Sequence, residues 1–136
     1  MTGYEAVLYF ALWTVVMLLM YVSHRIPLAL AGKKPANYWT RGNQTDDPAI
    51  FVRASHAHAN CLETFPLFAA VVIIAGLMNQ SAVVDGLAAY VVYARVAQGV
   101  VHLIGTSFAL VLTRATFFLI QVVLIVYMAL QLIGVA

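Results

Sequence analysis

Apolar positions fill this chain in four long runs, separated by short clusters of glycine, proline and polar residues. The first run, residues 4–25, is long enough to cross a hydrocarbon core of about 30 Å at about 1.5 Å per residue. Residues 26–47 hold Pro27, Gly32, Pro35 and Gly42 and much of the charge, the composition of an aqueous loop. Asp47-Pro48 reads as a helix N-cap followed by proline at the first helical position, so the second run covers residues 48–78. That exceeds what a bilayer needs, and its first turns are expected in the headgroup region or beyond. Asn79-Gln80-Ser81 predicts a turn with Ser81 as cap of the third run, residues 82–105, where Asp85 in the first helical turn suits the helix dipole. The fourth run covers residues 113–133, opened by Thr113-Arg114, and residues 108–112 before it either extend a helix or lie on the membrane surface.

Two polar stripes interrupt the apolar pattern. On the second run Arg53, His56, Asn60 and Glu63 fall within an arc of about 80° when each residue turns the helix by about 100°. Arg95, Gln98 and His102 repeat the same spacing on the third run. In a membrane such stripes face protein or water, not lipid.

Composition fixes the class. The 136 residues are 64% hydrophobic and 9% charged, with mean hydropathy +0.94, against about 45–50% apolar and about 25% charged in soluble domains. The expectation is an all-α integral membrane protein, a single domain over residues 1–136 built as an antiparallel four-helix transmembrane bundle. No linker, low-complexity tract or internal repeat divides it. No basic residue precedes Arg25, so the first run lacks the basic flank of a signal peptide and is expected to be retained as a span. Four of the seven basic residues (Arg25, Lys33, Lys34 and Arg41) sit by the first loop, so the net charge of +2 is local and is no nucleic-acid footprint. Cys61 is a lone thiol in an apolar span and is expected to pack.

Lysine and arginine follow the first and third spans and are absent after the second, which puts those two connections in the cytoplasm and both termini on the opposite side. Arg53, the Arg95–His102 stripe and Arg114 then converge at one depth. Charged groups there cost about 2.5–3.5 kcal/mol unless paired or hydrated, and Glu63 with Arg53 or Arg95 is the simplest pairing. Basic groups exceed acidic ones, so the expected site suits an anion. His58 lies off the stripe and is expected to contact a neighbouring helix. Ala54, Ala57 and Ala59 are expected to allow close packing on the second span. No His or Cys pair has a convincing metal arrangement, and no metal site is expected.

The segment from Arg53 to Pro66, with Arg53, Ala57-His58, Asn60, Glu63 and Phe65-Pro66 at its fixed positions, resembles the second-helix motif of the MAPEG family, the membrane-associated proteins of eicosanoid and glutathione metabolism. The stretch from Tyr93 to Gln98 is similar to that family's Arg-Val motif on helix three, and Arg114 to the arginine opening helix four. The resemblance covers essentially the whole chain.

What it implies is a homotrimer in which glutathione, a co-substrate, binds between protomers. Asn60 and Glu63 would hold its amino end. Arg53, His56 and Arg95, with Gln98 and His102 beside them, would serve its carboxylates or orient other groups, and Arg114 would sit by the sulfur as the catalytic residue. A thiol of pKa about 8.5 is only about 3% thiolate at pH 7, and lowering that value by about two units raises the fraction to about three quarters. The implied activity is a microsomal glutathione transferase-like transferase or peroxidase acting on hydrophobic small-molecule acceptors that dissolve among membrane lipids. His56 stands where many members carry a second arginine, Ala59 where some carry another, and Phe118 where tyrosine is frequent. Those departures keep a second function open, a non-catalytic lipid-binding or scaffold member of the same family.

Overall fold

A computed structural model describes residues 1–134. Its elements are α1 (Gly3–Leu30), α2 (Ala49–Leu77), α3 (Ser81–Asp85), α4 (Ala88–Ile104) and α5 (Phe108–Ile133). Among the described residues there is no strand. Four helical stretches are long and apolar enough to cross a membrane, with α3 and α4 counted together over Ser81–Ile104.

Helix α1 starts at a capping box that satisfies two of its orphan N–H groups. The Glu5 N–H donates to Thr2 Oγ1 at 3.2 Å while the Thr2 N–H donates to Glu5 Oε2 at 2.7 Å. The helix runs past its expected end near Arg25 to Leu30 with Pro27 inside it, where the missing N–H forfeits one bond. Gly32 then stops it at φ +71°, where the Gly32 and Lys33 N–H groups donate to the Ala29 and Leu28 carbonyls in a Schellman arrangement. Asn79 closes α2 in the same way at φ +55°, with the Asn79 and Gln80 N–H groups donating to the Gly76 and Ala75 carbonyls.

Two acidic residues act away from the helices beside them. Asp47 does not cap α2, whose N-cap is Pro48 with no side-chain hydrogen bond. Its carboxylate is buried under the first loop, where it accepts from Trp39 Nε1 at 2.9 Å and lies 3.3 Å from His24 Nε2 and 4.0 Å from Arg25 Nε. Asp85 ends the short α3 instead of opening a long helix, since the chain breaks at Gly86-Leu87 before α4. Ser81 is the first residue of α3 and not its cap. Helix α5 begins at Ser107, whose hydroxyl accepts the Leu110 N–H at 3.3 Å, so residues 108–112 extend the helix.

The core is aromatic and aliphatic. Phe10 packs on Phe65 and Phe68 with ring centroids 5.5 and 5.8 Å apart, next to Val72, Val91, Ile125 and Met128. Ala54 and Ala57 are buried as expected of close-packing residues, whereas Ala59 is exposed. Gly99 lets α4 meet α1 closely, since a Cβ there would fall 2.8 Å from the Trp13 ring. Large apolar side chains such as Leu8, Leu12, Leu19, Leu67, Leu119 and Val123 point outward, the pattern of a bundle whose solvent is lipid.

Candidate functional site

The polar stripe of α2 does not line one cavity: Asn60 and Glu63 line one, His56 another, and Arg53 neither. Arg53 and Glu63 are ten residues apart, about 15 Å along the backbone at the rise of an α-helix. Asn60 and Glu63 line an open cleft of about 220 Å³ together with Gln98 of α4 and Arg114, Ala115 and Phe118 of α5. Four expected site residues, Asn60, Glu63, Gln98 and Arg114, thus meet from three helices. Each is held by regular helix, the arrangement that positions side chains most firmly.

His56 faces away from that cleft into a polar cavity of about 360 Å³ beneath the first loop, lined also by Tyr21, Arg25, Trp39, Arg41 and His58. Its ring lies 6.3 Å from that of His102, which is buried on α4. Arg53 stands at the start of α2 and donates from Nε to the Leu103 carbonyl at 2.9 Å, tying that start to the end of α4.

Arg95 is enclosed. Its side chain is 1% exposed, its Nη2 donates to Thr64 Oγ1, and its guanidinium lies 5.3 Å from the Phe10 ring centroid. The pairing of Glu63 with Arg53 or Arg95 is not formed. Among the described residues Glu63 makes no ion pair, and the ion pairs present involve Asp46 and Asp47. The two arginines use a carbonyl and a hydroxyl instead, acceptors that satisfy N–H groups at a helix interface without the desolvation of a second charge. The cleft therefore holds one cation and one anion with two amides, and the surplus of basic groups lies outside it, around Arg53, His56 and His102.

His58 contacts the neighbouring helix as expected, with Nδ1 2.9 Å from the Tyr21 hydroxyl. Cys61 is buried. Among the described residues no group of three His, Cys, Asp or Glu side chains is arranged to hold a metal ion. Sequence reasoning passed over Gln121, fully buried on α5, whose Nε2 donates to Gln98 Oε1 at 2.9 Å and to the Phe117 carbonyl at 2.9 Å. The signal was present: Gln121 follows Arg114 by seven residues, about two helical turns, and so shares its face.

A family model described as MAPEG family matches residues 5–134. The chain belongs to the MAPEG family. No curated protein and no solved structure matches it. Membership agrees with the four apolar helices and points to roles in glutathione or eicosanoid metabolism. In this MAPEG chain the second-helix motif splits, Asn60 and Glu63 lining the cleft while Arg53 and His56 serve the helix ends and the second cavity.

Proposed function

We propose that this MAPEG protein is a membrane-bound glutathione transferase or peroxidase, with the glutathione thiolate bound at the cleft of Asn60, Glu63, Gln98 and Arg114. The observation that carries the reading is the composition of that cleft: one carboxylate, one guanidinium and two amides around a small open volume. Glutathione is complementary to it, with an ammonium for Glu63, a sulfur for Arg114, and peptide groups for Asn60 and Gln98. Glu63 is exposed on a helix long and apolar enough to cross a membrane, and such a charge needs water or protein beside it. A homotrimer of up-and-down bundles supplies both, with a neighbouring protomer closing the cleft. Loops after the first and third spans lie in the cytoplasm, which provides the thiol, while lipid provides the acceptor.

The chemistry asked of the protein is modest. Arg114 holds the sulfur as thiolate, the proton leaving to water, and the thiolate then attacks the electrophilic carbon. In conjugation an S–C bond forms as a leaving group departs or the adduct takes up a proton. In peroxide reduction two glutathione molecules give one disulfide, and the hydroperoxide becomes an alcohol and water.

Titrating the purified protein with glutathione while following thiolate absorbance tests binding and activation together. Saturable thiolate formation near neutral pH, with turnover of a chromogenic electrophile or a lipid hydroperoxide, is the expected result. Absence of both binding and turnover, with lipid copurifying instead, would overturn the enzyme reading in favour of a lipid-presenting member of the family.

A further inference from the structure

The amide pair behind the cleft has one permitted polarity. Gln121 Nε2 faces the Phe117 carbonyl, which can only accept, so the amide atom there must be the nitrogen. The same nitrogen faces Gln98, whose near atom must then be an acceptor, its Oε1. With Oε1 committed, the Gln98 Nε2 and its two hydrogens are turned to the other side. Gln98 is only 3% exposed, and among the described residues that nitrogen has no hydrogen-bond partner and is not among the enclosed unpartnered polar atoms, so the little of Gln98 that lines the cleft can present it there. Gln121 itself has no access, being 0% exposed with its own Oε1 enclosed and unpartnered.

A free glutamine amide offers either end to a ligand. Here the choice is fixed from behind, and the cleft receives a donor from Gln98 beside the guanidinium of Arg114. Both groups then favour an acceptor, preferably an anionic one, at the same edge of the cleft. An apolar residue at 121 would leave Gln98 free to turn its oxygen toward the ligand. A carboxylate at 121 would go further and draw the Gln98 nitrogen to itself.

We infer that Gln121 is a positioning residue that sets Gln98 as an obligate hydrogen-bond donor to the glutathione bound in the cleft. This rests on the glutathione reading proposed above. Because Gln121 acts only through Gln98, the two positions are coupled, and their effects on binding are non-additive.

The test is a double-mutant cycle on the full-length protein with glutathione as ligand, comparing Gln98→Leu, Gln121→Met and the double variant. Gln121→Met is expected to weaken glutathione affinity by about fivefold, a typical loss for one hydrogen bond to an anionic or polar group. The double variant should be no weaker than Gln98→Leu alone. Additive losses, or wild-type affinity in a folded Gln121→Met, would overturn the inference while leaving glutathione binding intact. No binding by the wild-type protein would instead overturn the glutathione reading, and this inference with it. If Gln121→Met does not fold, the side-chain amide nitrogen signal of Gln98 in the wild-type protein, assigned with Gln98→Leu, decides. Its shift on adding glutathione supports the donor role, and an unmoved signal refutes it.

Discussion

The Asp85 carboxylate accepts the Gly3 backbone N–H at 2.7 Å, so the end of the short α3 closes the amino-terminal end of α1. The negative charge meets the positive end of the α1 dipole across 82 residues of sequence, and a Cβ at Gly3 would come within 3.0 Å of the Val72 and Val84 side chains. Asp85→Ala is therefore expected to lower stability by about 1 kcal/mol, and Asp85→Asn by less, because the amide oxygen can still accept. Thermal unfolding in detergent measures this, and equal transition temperatures for all three proteins would show that the contact contributes nothing.

A second long-range contact organises the first loop. Asp46 accepts from Lys34 Nζ at 3.0 Å and from the Tyr38 hydroxyl at 2.9 Å. These bonds, Lys34 first, hold the Asp46 carboxyl below its ordinary value of 3.8, and the Asp46 bond holds the Lys34 ammonium above 10.5. A lowered acid stabilises above its unfolded value and stops doing so as pH falls through its folded value. A raised base stabilises below its unfolded value and stops as pH rises through its folded value. The difference in loop protection between wild type and Asp46→Asn should therefore be constant from about pH 5 to about pH 9 and vanish in stronger acid. Hydrogen exchange of the loop peptide reads it, and a difference that titrates near neutral pH would contradict the assignment.

Asp47 and Asp85 mark what the sequence could and could not tell. Four apolar spans, the turn after the second and the polar residues of α2 follow from local periodicity and cap chemistry and are present, whereas α1 runs on to a stop at Gly32, beyond its expected end near Arg25. Asp47 looked like the cap of α2, and Asp85 like an acid in the first turn of the third span, because such rules see only neighbours in sequence. Their partners, Trp39 and His24 for one and Gly3 for the other, come from tertiary packing. The expected Glu63 ion pair failed for a related reason. Angular agreement on a helical wheel ignores the axial distance that separates Arg53 from Glu63, and Arg95 on the neighbouring helix is taken up by the Thr64 hydroxyl instead. Gln121 was legible by its spacing from Arg114 but reads as one polar residue in an apolar span until Gln98 is seen against it.

Arg95 offers an unusual prediction. Its guanidinium is buried with no acid in ion-pair range among the described residues, and its Nε has no partner. Replacing a buried charge that has no ion-pair partner by an apolar side chain of similar length removes a desolvation penalty. Arg95→Met is thus expected to keep or raise the transition temperature, by up to about 2 kcal/mol in stability. Marked destabilisation would mean that the cation meets a counter-charge in the native assembly.

Arg114 is the cation of the cleft and should act on the sulfur more than on the peptide. Arg114→Ala is expected to lower kcat by about tenfold or more while weakening glutathione binding less than about threefold. Steady-state kinetics with parallel binding titrations separate the two quantities. Equal losses would assign Arg114 to general binding of the tripeptide.

Phe118 lies one turn beyond Arg114 and lines the same cleft, presenting a ring where a hydroxyl could donate to the thiolate. In the proposed glutathione complex Arg114 would supply charge at the sulfur, and α5 would add no neutral donor beside it, because Ala115 and Phe118 offer none. A hydrogen bond given to the charged form lowers its pKa, and about half a unit would raise a minor thiolate fraction about threefold. Phe118→Tyr is therefore expected to move both the thiolate titration and the pH profile of turnover to lower pH, with little change in glutathione affinity at high pH. The shift should disappear in Phe118→Tyr combined with Arg114→Ala if the hydroxyl and the guanidinium share the sulfur. An unmoved titration accompanied by tighter glutathione binding would put the new hydroxyl beside a carboxylate of the peptide and the sulfur elsewhere in the cleft.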